Sequence, residues 1–528
     1  MNIWRQWIRG KTGPRVILTV LSVCILFGCA GPAIKEERES NSIYPLQTND
    51  TLTYWVERND NLTGYADSLG DTPFAQELER QTGVHVQYIH PSVKGLNQQF
   101  KLLIASGDLP DIVEWSASGL QEAAFGNYIM RINDVMEKWS PNLTQYLKQH
   151  PDVGKLMRTD AGDYLFYPFI RQEELLRVYA GPMIRGDWLE ELGLPVPETI
   201  DEWYTALTLM KQQMGADAPL TYDGKLYTYG DFCGAYGEKM ELYVEEGQVV
   251  YGPARPGYRA FLKTFQQWYA EGLIDPDIAS ADNQTIKSYI TQGKSAATVT
   301  FAGNGMGRYN PVLMKENPEQ RMVAAPHPVL NKGETPKFGQ YSLSIDGSGV
   351  AITTACKNVE VAMRFLDFGY SEQGMLAYNF GTLGESYEMI DGEPVYTDRI
   401  LHPENGDVAG AIAQYARANQ NGPAIQMEQY LMQYYQLQEQ REAVDIWKRS
   451  DAKEHVLPFL GYTVEESLEV TQIQDNITAY VSDMTNRFIM GLEPIENFDT
   501  TYLQTLEEKG LTRMLEICQQ AYERYLER

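Results

Sequence analysis

The aromatic residue Trp115 and the small polar residues after it form the stretch of this sequence best suited to binding chemistry. Ile112-Val113 predicts a short buried strand that carries Trp115 and Ser116 to its C-terminal end. Ligands of open α/β sheets bind at that end of the strands. An indole there can stack on the apolar face of a sugar ring, beside the polar run that includes Ser116 and Ser118. The alternative is that Trp115 only fills the core, and the residues leave both interpretations open.

Patterns typical of catalysis are missing from the sequence. There is no GxSxG or HExxH pattern, and the five cysteines show no CxxC or Cys/His spacing, so neither a nucleophile nor a zinc site is predicted. A glycoside hydrolase needs two carboxylates, ~5–5.5 Å apart for retention or ~6.5–9.5 Å apart for inversion. Spacing along the chain cannot single out such a pair among 71 acidic residues. We therefore predict a binding protein without catalytic residues or a cofactor, and keep a surface-anchored glycoside hydrolase as the alternative.

The elements around Trp115 follow the pattern of a parallel sheet. Residues 52–56 and 84–89 predict strands on either side of a helix over residues 72–82. Residues 98–106 carry apolar side chains at helical spacing, and Gly107 predicts the left-handed end of that helix. Strand, helix, strand, helix and strand in this order are typical of an α/β fold.

Composition narrows the class of protein further. A chain of 528 residues is too long for one core, so two or more domains are expected. Its 43% hydrophobic and 11% aromatic content is typical of globular proteins. The formal net charge of −27 argues against nucleic acid as a partner, because nucleic-acid binding needs clustered Lys and Arg.

The N-terminus predicts export. Basic residues within positions 5–15 precede an apolar run over residues 16–27, which is shorter than the ~20 residues of a membrane span. The run ends at Leu26-Phe27-Gly28-Cys29, which resembles a bacterial lipobox with a bulkier Phe27 than is usual. Cys29 is then the lipidated first residue of the mature protein, although an uncleaved anchor would also place the chain on the outer face. Residues 30–50 are polar and predict a tether.

Several stretches in order along the chain resemble the extracellular solute-binding lipoproteins of bacterial carbohydrate ABC importers, in particular their large, LplA-like branch. The stretches that carry this resemblance, after the lipobox at Cys29, are IASGDLPDI, RGDWLEELGLPVPETIDEW, WYAEGLIDPD, SGVAIT with VAMRFLDFGYSEQG, NFGTLGESYEMIDG, and FIMGLEPIENFDTTYLQTLEEKGLTRMLEICQQAYERY.

The resemblance implies an α/β, periplasmic-binding-protein type II fold with two lobes, a ligand cleft between them and a helical C-terminal region. The division of the chain that it implies is a signal peptide at 1–28, the lipidated cysteine and tether at 29–50, the first lobe at 51–168, the second lobe at 169–340, a return to the first lobe at 341–435, and a helical segment at 436–528 mainly on the second lobe.

The resemblance also implies where an oligosaccharide would bind. The matching positions follow strands or crossing segments, and they are Trp55, Asn59, Asp60, Trp115, Ser116, Ser118, Arg171, Gln172, Phe301 and Asn304. Further polar or aromatic positions, in loops expected to face the cleft, are Asp231, Tyr236, Glu385 and Tyr387, and for each of these a packed or solvated side chain is the alternative. Some relatives carry a calcium loop, but no D-x-[DN]-x-[DN]-G run is present, so no metal is predicted.

The function that follows from the resemblance is capture of an oligosaccharide or polysaccharide fragment at the cell surface. The expected partners are an ABC permease with its cytoplasmic ATPase, and the membrane through the lipid anchor. The protein is expected to act as a monomer and to have no nucleic-acid partner. A binder of peptides or lipid precursors would share the fold and remains open.

Overall fold

The computed structural model describes residues 43–92, 95–223, 230–418 and 421–528. The predicted signal peptide, the lipidation site Cys29 and residues 30–42 of the predicted tether lie outside the described residues.

The strands of the described residues are distributed along the whole chain. They are β1 Thr51–Trp55, β2 His85–Ile89, β3 Ile112–Ser116, β4 Tyr167–Arg171, β5 Ala180–Arg185, β6 Leu242–Glu245, β7 Gln248–Tyr251, β8 Ala297–Phe301, β9 Met322–Ala324, β10 Ile345–Ile352, β11 Tyr387–Ile390, β12 Glu393–Tyr396 and β13 Ala424–Gln426.

Helices connect most of these strands and form the C-terminal region. They are α1 Pro73–Thr82, α2 Leu96–Ser106, α3 Ala117–Phe125, α4 Asn133–Trp139, α5 Pro141–Gln149, α6 Pro151–Met157, α7 Gly186–Leu192, α8 Ile200–Gln213, α9 Pro256–Ala270, α10 Asn283–Thr291, α11 Gly307–Glu316, α12 Val359–Asp367, α13 Glu372–Phe380, α14 Asp398–Leu401, α15 Val408–Tyr415, α16 Glu428–Tyr434, α17 Gln438–Trp447, α18 Val464–Ile489, α19 Leu503–Glu508 and α20 Leu511–Glu527.

Local sequence signals set the ends of the helices near β3. Thr72 caps the N-terminus of α1 by accepting a hydrogen bond from the backbone N–H of Ala75. Gly107 ends α2 with φ 69°, a left-handed conformation that glycine adopts without a Cβ penalty. Further along the chain, Thr199 and Glu202 form a capping box at the start of α8. The helices and strands that the sequence predicts over residues 52–113 are confirmed.

The larger sheet has the strand order β13-β4-β10-β3-β1-β2. β1 pairs in parallel with β2 and β3, as the sequence predicts, whereas β10 runs antiparallel to both β3 and β4. The C-terminal ends of β1, β3 and β4 therefore lie along one edge, together with the first residues of β10. This edge carries the segments that follow Trp55, Ser116 and Arg171.

A smaller sheet has the order β8-β5-β9, and all its pairings are antiparallel. Its two faces are covered by different residues, because Ile184 and Met183 on β5 point to opposite sides and pack into separate cores. Two-stranded hairpins, β6-β7 and β11-β12, lie outside these sheets.

Buried side chains form separate cores around the two sheets. The first core surrounds the larger sheet and is built from residues 52–170 and 345–425. The second core is built from residues 184–325 and 470–518, so that α18 and α20 share a core with one face of the smaller sheet. Within the second core, α18 packs against α9 and α20, and α20 also packs against β7.

A third core covers the other face of the smaller sheet. It joins Leu176, Val178 and Met183 with residues 286–324 and 380–447. The segment that returns to the larger sheet therefore contributes to both cores. Its buried residues over 345–378, with Ala413, Ala424 and Ile425, belong to the first core, and most of its other buried residues over 380–447 belong to the third.

The last part of the predicted tether is docked on the folded body. The Tyr44 hydroxyl donates to the carbonyl of Arg364 at 2.6 Å, and its ring packs edge-on against Phe368. The backbone N–H of Leu46 donates to the carbonyl of Thr82 at 2.7 Å. The predicted tether over residues 30–50 is therefore too long, because an aromatic ring and hydrogen bonds to the backbone hold its last residues on the folded body.

Among the helices of the described residues, none combines the length and apolar character that crossing a bilayer requires.

Candidate functional site

A cavity of about 310 Å³ lies between the first and second cores. One wall comes from the elements around β3 and β4, and the other from the β6 region and the segment that precedes α18. The lining residues that define it, hereafter the inter-core cavity, are Ala117, Ser118, Gln121, Leu156, Met157, Arg158, Thr159, Leu165, Phe166, Lys239, Glu241, Leu242, residues 456–462, Gln474 and Arg528.

The inter-core cavity combines flat apolar groups with hydrogen-bonding groups. Phe166, Phe459 and Tyr462 supply aromatic surface, and Phe459 lies directly against the backbone of Gly347 at the start of β10. Ser118 and Gln121 supply polar groups from the first turns of α3, and the Gln121 amide donates to the carbonyl of Tyr462 at 3.5 Å. This mixture suits a ligand with apolar C–H faces and many hydroxyls.

A second polar cluster joins elements of the first and third cores. Arg308, at the start of α11, donates to the Asn61 side-chain oxygen at 3.1 Å and forms an ion pair of 3.2 Å with Asp407. The Tyr65 hydroxyl donates to the other oxygen of Asp407 at 3.3 Å. Asn61 lies in the loop after β1, whereas Arg308 lies after β8. The structure therefore brings the predicted Asn59 loop and the predicted Asn304 segment to the same place.

Aromatic rings line the crossing from β4 to β5. The guanidinium of Arg171 lies over the rings of Phe169 and Tyr179, at 5.2 and 5.7 Å from their centroids. Phe301 stacks on the same Tyr179 at 5.9 Å. The structure thus groups Arg171 and Phe301, which are 130 residues apart in sequence. Next to Arg171, the exposed Gln172 accepts a hydrogen bond from Tyr146.

Asn304 is held close to this group. Its side-chain oxygen accepts a hydrogen bond from the Tyr434 hydroxyl at 3.0 Å, and the backbone of Gly303 lies against the Tyr434 ring. Tyr434 is buried on α16 and was not selected from the sequence.

Trp115 is half-buried rather than free in a cleft. Its indole stacks on Phe100 at 4.8 Å and meets Trp55 edge-on at 5.7 Å, and Trp55 is almost fully buried. A Cβ on Gly119 would lie 2.5 Å from the indole, so the ring is seated on the first turn of α3. Ser116 caps α3 by accepting from the N–H of Gly119 at 3.2 Å. Packing thus accounts for one face of Trp115 and all of Trp55.

The loop after β1 is polar and partly exposed. Asn59 caps a single helical turn by accepting from the N–H of Asn61 at 2.8 Å, and Asp60 is exposed. Burial, with the nearby charges of Asp60 and Glu114, raises the pKa of Glu57. At the end of the neighbouring strand β2, burial lowers the pKa of His90.

The loop positions added from the sequence do not come together in the structure. Asp231 is buried with its carboxylate 2.9 Å from the imidazole of His327, and Tyr236 donates to Thr264 while packing on the second core. Tyr387 is buried in the third core, whereas Glu385 is exposed in the turn before β11. None of these four positions lines the inter-core cavity.

A buried ion pair stiffens the strand that carries Trp115. Arg417 donates from both terminal nitrogens to Glu114, at 2.9 and 3.1 Å, and Tyr54 donates to the same carboxylate at 2.5 Å. Burial opposes the charge on Arg417, but the Glu114 carboxylate outweighs that effect and the pKa of Arg417 is raised. Burial and Glu114 raise the pKa of Tyr54, so the phenol remains a donor.

Sequence reasoning missed most of the residues that meet between the cores. Gln121, Lys239 and Phe459 carry no motif, and only long-range packing brings them to one cavity. Arg308 had a weak signal, since it lies one helical turn after the predicted Asn304. Among the described residues, no three His, Cys, Asp or Glu side chains form a group that could hold a metal ion.

Comparison with known proteins adds a family and a fold. A profile of the bacterial extracellular solute-binding proteins matches residues 65–376. The chain is 22% identical to the fructooligosaccharide ABC transporter substrate-binding protein FusA of Streptococcus pneumoniae serotype 4, over 96% of this chain and 97% of FusA. It is 23% identical to the lipoprotein LipO of Bacillus subtilis strain 168, over 61% of this chain and 65% of LipO.

Solved structures match over most of the chain as well. The crystal structure of the alginate-binding protein AlgQ2 without calcium ion superposes with a TM-score of 0.78 and 24% identity, covering 90% of this chain and 98% of AlgQ2. FusA in complex with kestose superposes with a TM-score of 0.71 and 21% identity, covering 90% of this chain and 99% of FusA. At these identities the structural match concerns the fold.

Proposed function

This chain belongs to the bacterial extracellular solute-binding proteins, and on that premise we propose that it is the substrate-binding component of an ABC importer that captures an oligosaccharide or polysaccharide fragment. Its fold is the periplasmic-binding-protein type II fold that the sequence predicts. The captured fragment is then delivered to a membrane permease that works with a cytoplasmic ATPase.

The observation that carries this proposal is the inter-core cavity. Aromatic side chains and hydrogen-bonding groups from two separately packed cores meet there, so a ligand that touches both walls favours the arrangement in which the walls are close. The names of FusA and AlgQ2 describe binding of fructooligosaccharide and of alginate, which supports a saccharide as the ligand class. Binding, rather than hydrolysis, is also the activity that those names describe.

Two groups of residues are proposed to contact the sugar. The first group lines the inter-core cavity and includes Ser118, Gln121 and Phe459. The second lies along the strand ends and consists of the sequence-predicted positions that remain exposed or half-buried there, namely Asn59, Asp60, Trp115, Ser116, Arg171, Gln172, Phe301 and Asn304. The polar cluster around Arg308 supports this second group, because Arg308 follows the Asn304 segment and contacts Asn61 in the loop that contains Asn59.

Export and anchoring are proposed from the N-terminal sequence. The signal peptide ends at Gly28, Cys29 carries the lipid, and the folded body lies on the outer face of the cell membrane as a monomer. The name of LipO, a lipoprotein, supports the anchor. The two lobes that the sequence predicts are proposed to correspond to the first core and to the smaller sheet with its covering helices.

Titration calorimetry of the full chain in detergent, against a panel of plant and microbial oligosaccharides, tests the function. We expect heat that saturates at about one ligand per protein for at least one sugar class. Heat that continues without saturation would indicate turnover and support the hydrolase alternative. No heat with any sugar would overturn the oligosaccharide proposal and direct the search to peptides and lipid precursors.

A further inference from the structure

Arg158 occupies a distinctive position on the wall of the inter-core cavity. It follows α6, where its backbone N–H donates to the carbonyl of Gly154 at 3.3 Å, and its side-chain Nε donates to the same carbonyl at 3.2 Å. Its own carbonyl accepts a hydrogen bond from Arg528 at 2.6 Å. The backbone and the root of the side chain are therefore fixed, while no other hydrogen bond within the described residues uses the terminal nitrogens.

The other cations that line the inter-core cavity are neutralised by carboxylates. Lys239 pairs with Glu241, and Arg528 donates to Asp160 at 2.9 Å. Just outside the cavity, Arg524 pairs with Asp160 and Glu466, at 2.6 Å in each case. These pairs cancel the local charge, so they attract neither an anionic nor a cationic ligand strongly.

Arg158 differs from them in its charge balance. Within the described residues, no carboxylate lies inside the 4.0 Å ion-pair distance of its guanidinium. A half-buried guanidinium without a carboxylate is unusual in a chain with a net charge of −27, where acidic side chains are abundant. The wall therefore presents one uncompensated positive charge to whatever enters the cavity.

The chemistry of this group selects the ligand. A guanidinium donates two parallel hydrogen bonds to a carboxylate, and such charge-assisted pairs are stronger than hydrogen bonds to neutral hydroxyls. Partial enclosure reduces screening by water and salt, which increases the effect of the charge. Phe459, which lines the opposite wall and is only partly buried, offers aromatic surface to the apolar faces of the sugar rings.

We propose that the inter-core cavity takes an acidic oligosaccharide and that Arg158 binds the carboxylate of a uronic acid unit. This inference rests on the proposed function, since it names the substrate class of the same site. Arg158 is a specificity-determining residue, because it distinguishes an acidic sugar from a neutral sugar with the same linkages.

The test uses pairs of ligands that differ only in charge. Uronic acid oligosaccharides from pectin, alginate and glucuronoxylan are each compared, by calorimetry of the full chain in detergent, with the same oligosaccharide after reduction of its carboxyls to primary alcohols. We expect at least one acid to bind roughly ten- to a hundredfold more tightly than its reduced counterpart, the range expected for hydrogen bonds to a charged group. Added salt should reduce this preference.

Matched variants assign the effect to one side chain. Arg158→Gln should abolish the preference for the acid, and Arg158→Lys should retain part of it, because lysine keeps the charge without the planar pair of donors. Arg449→Gln removes an exposed arginine that does not line the cavity and should leave the preference unchanged. A trisaccharide of neutral sugars that carries one sulfate ester is tested alongside. It distinguishes recognition of a carboxylate from binding of any oxyanion.

The possible negative results separate a failure of the inference about Arg158 from a failure of the proposed function. If reduced sugars bind as tightly as their acids, or if Arg158→Gln keeps the preference, the inference is overturned and the proposed function stands. Tighter binding of the sulfated sugar than of every uronate would overturn the carboxylate assignment. If neither acidic nor reduced sugars bind, the inference is overturned, and the proposed function is then decided by the wider oligosaccharide panel.

Discussion

Two arginines link distant parts of this chain in opposite ways. Arg417 and Glu114 form a bidentate pair whose side chains are only 5% and 9% exposed, whereas the Arg308–Asp407 pair is 36% and 29% exposed. Each connects the larger sheet or its loops to segments far away in sequence. The buried pair has no water to replace either partner, so it is a fixed part of the fold. The half-exposed pair exchanges partners with water at little cost, so it suits a place where a ligand must enter.

Breaking the buried pair should have the largest effect. Arg417→Met is expected to lower the free energy of unfolding by about 3–5 kcal/mol, because Glu114 would remain buried without its cation. Urea unfolding followed by circular dichroism measures the loss. The double variant Arg417→Met with Glu114→Gln should recover part of it, and a single-variant loss below about 1 kcal/mol would contradict a structural role for the pair.

Asp367 is a buried carboxylate that, unlike Glu114, forms no ion pair within the described residues. Burial raises the pKa of Asp367 to about 6, although donors from Asn142 and Leu143 oppose the shift. Between its ordinary pKa and about 6 the folded state holds the proton more tightly than the unfolded state. Its contribution to stability is therefore lost as pH rises through that window, by roughly 2–3 kcal/mol.

Comparison with Asp367→Asn isolates this contribution. The wild-type protein should lose stability relative to the variant as the pH rises from about 4 to about 6. Equal pH dependence in the two proteins would show that Asp367 titrates normally.

Trp115 follows Glu114 in β3 but is only half-buried. Its substitution therefore tests whether the end of this strand contacts the ligand. Trp115→Ala should weaken sugar binding by ~1–3 kcal/mol and leave unfolding cooperative. Binding of the sugar found in the calorimetric panel and thermal unfolding measure the two effects. Unchanged affinity with reduced stability would assign the indole to packing on Phe100 alone.

The half-exposed cluster should give the smallest effects, and they should be unequal. Arg308→Gln is expected to change the free energy of unfolding by less than about 1 kcal/mol. Asp407→Ala should cost about 1 kcal/mol, since its side chain also caps α15 by accepting from Gly410. Asp407→Asn retains a capping side chain and serves as the control in the same urea titrations. A loss for Arg308→Gln as large as that of Arg417→Met would contradict the distinction between the two regions.

The elements around β3 illustrate what could be predicted. Gly107, the turn that follows it and the short apolar strand all act through neighbours a few residues away, so their signals are readable in the sequence. The site was harder to predict, because packing decides which polar side chain stays exposed. Asp231 and Tyr387 are of suitable residue types, yet both are buried, and nothing in their local sequence distinguishes them from Asp60.

The sequence by itself determined the helices and strands around β3 and the family, because these depend on short-range patterns and on motifs that recur in order. Only the tertiary structure decided which residues meet. Arg308 reaches Asn61 across 247 positions, Arg417 reaches Glu114 across 303, and the inter-core cavity gathers residues from Ala117 to Arg528. The physical reason is that such contacts are selected by how whole cores pack against each other, and that packing is a property of all the elements together.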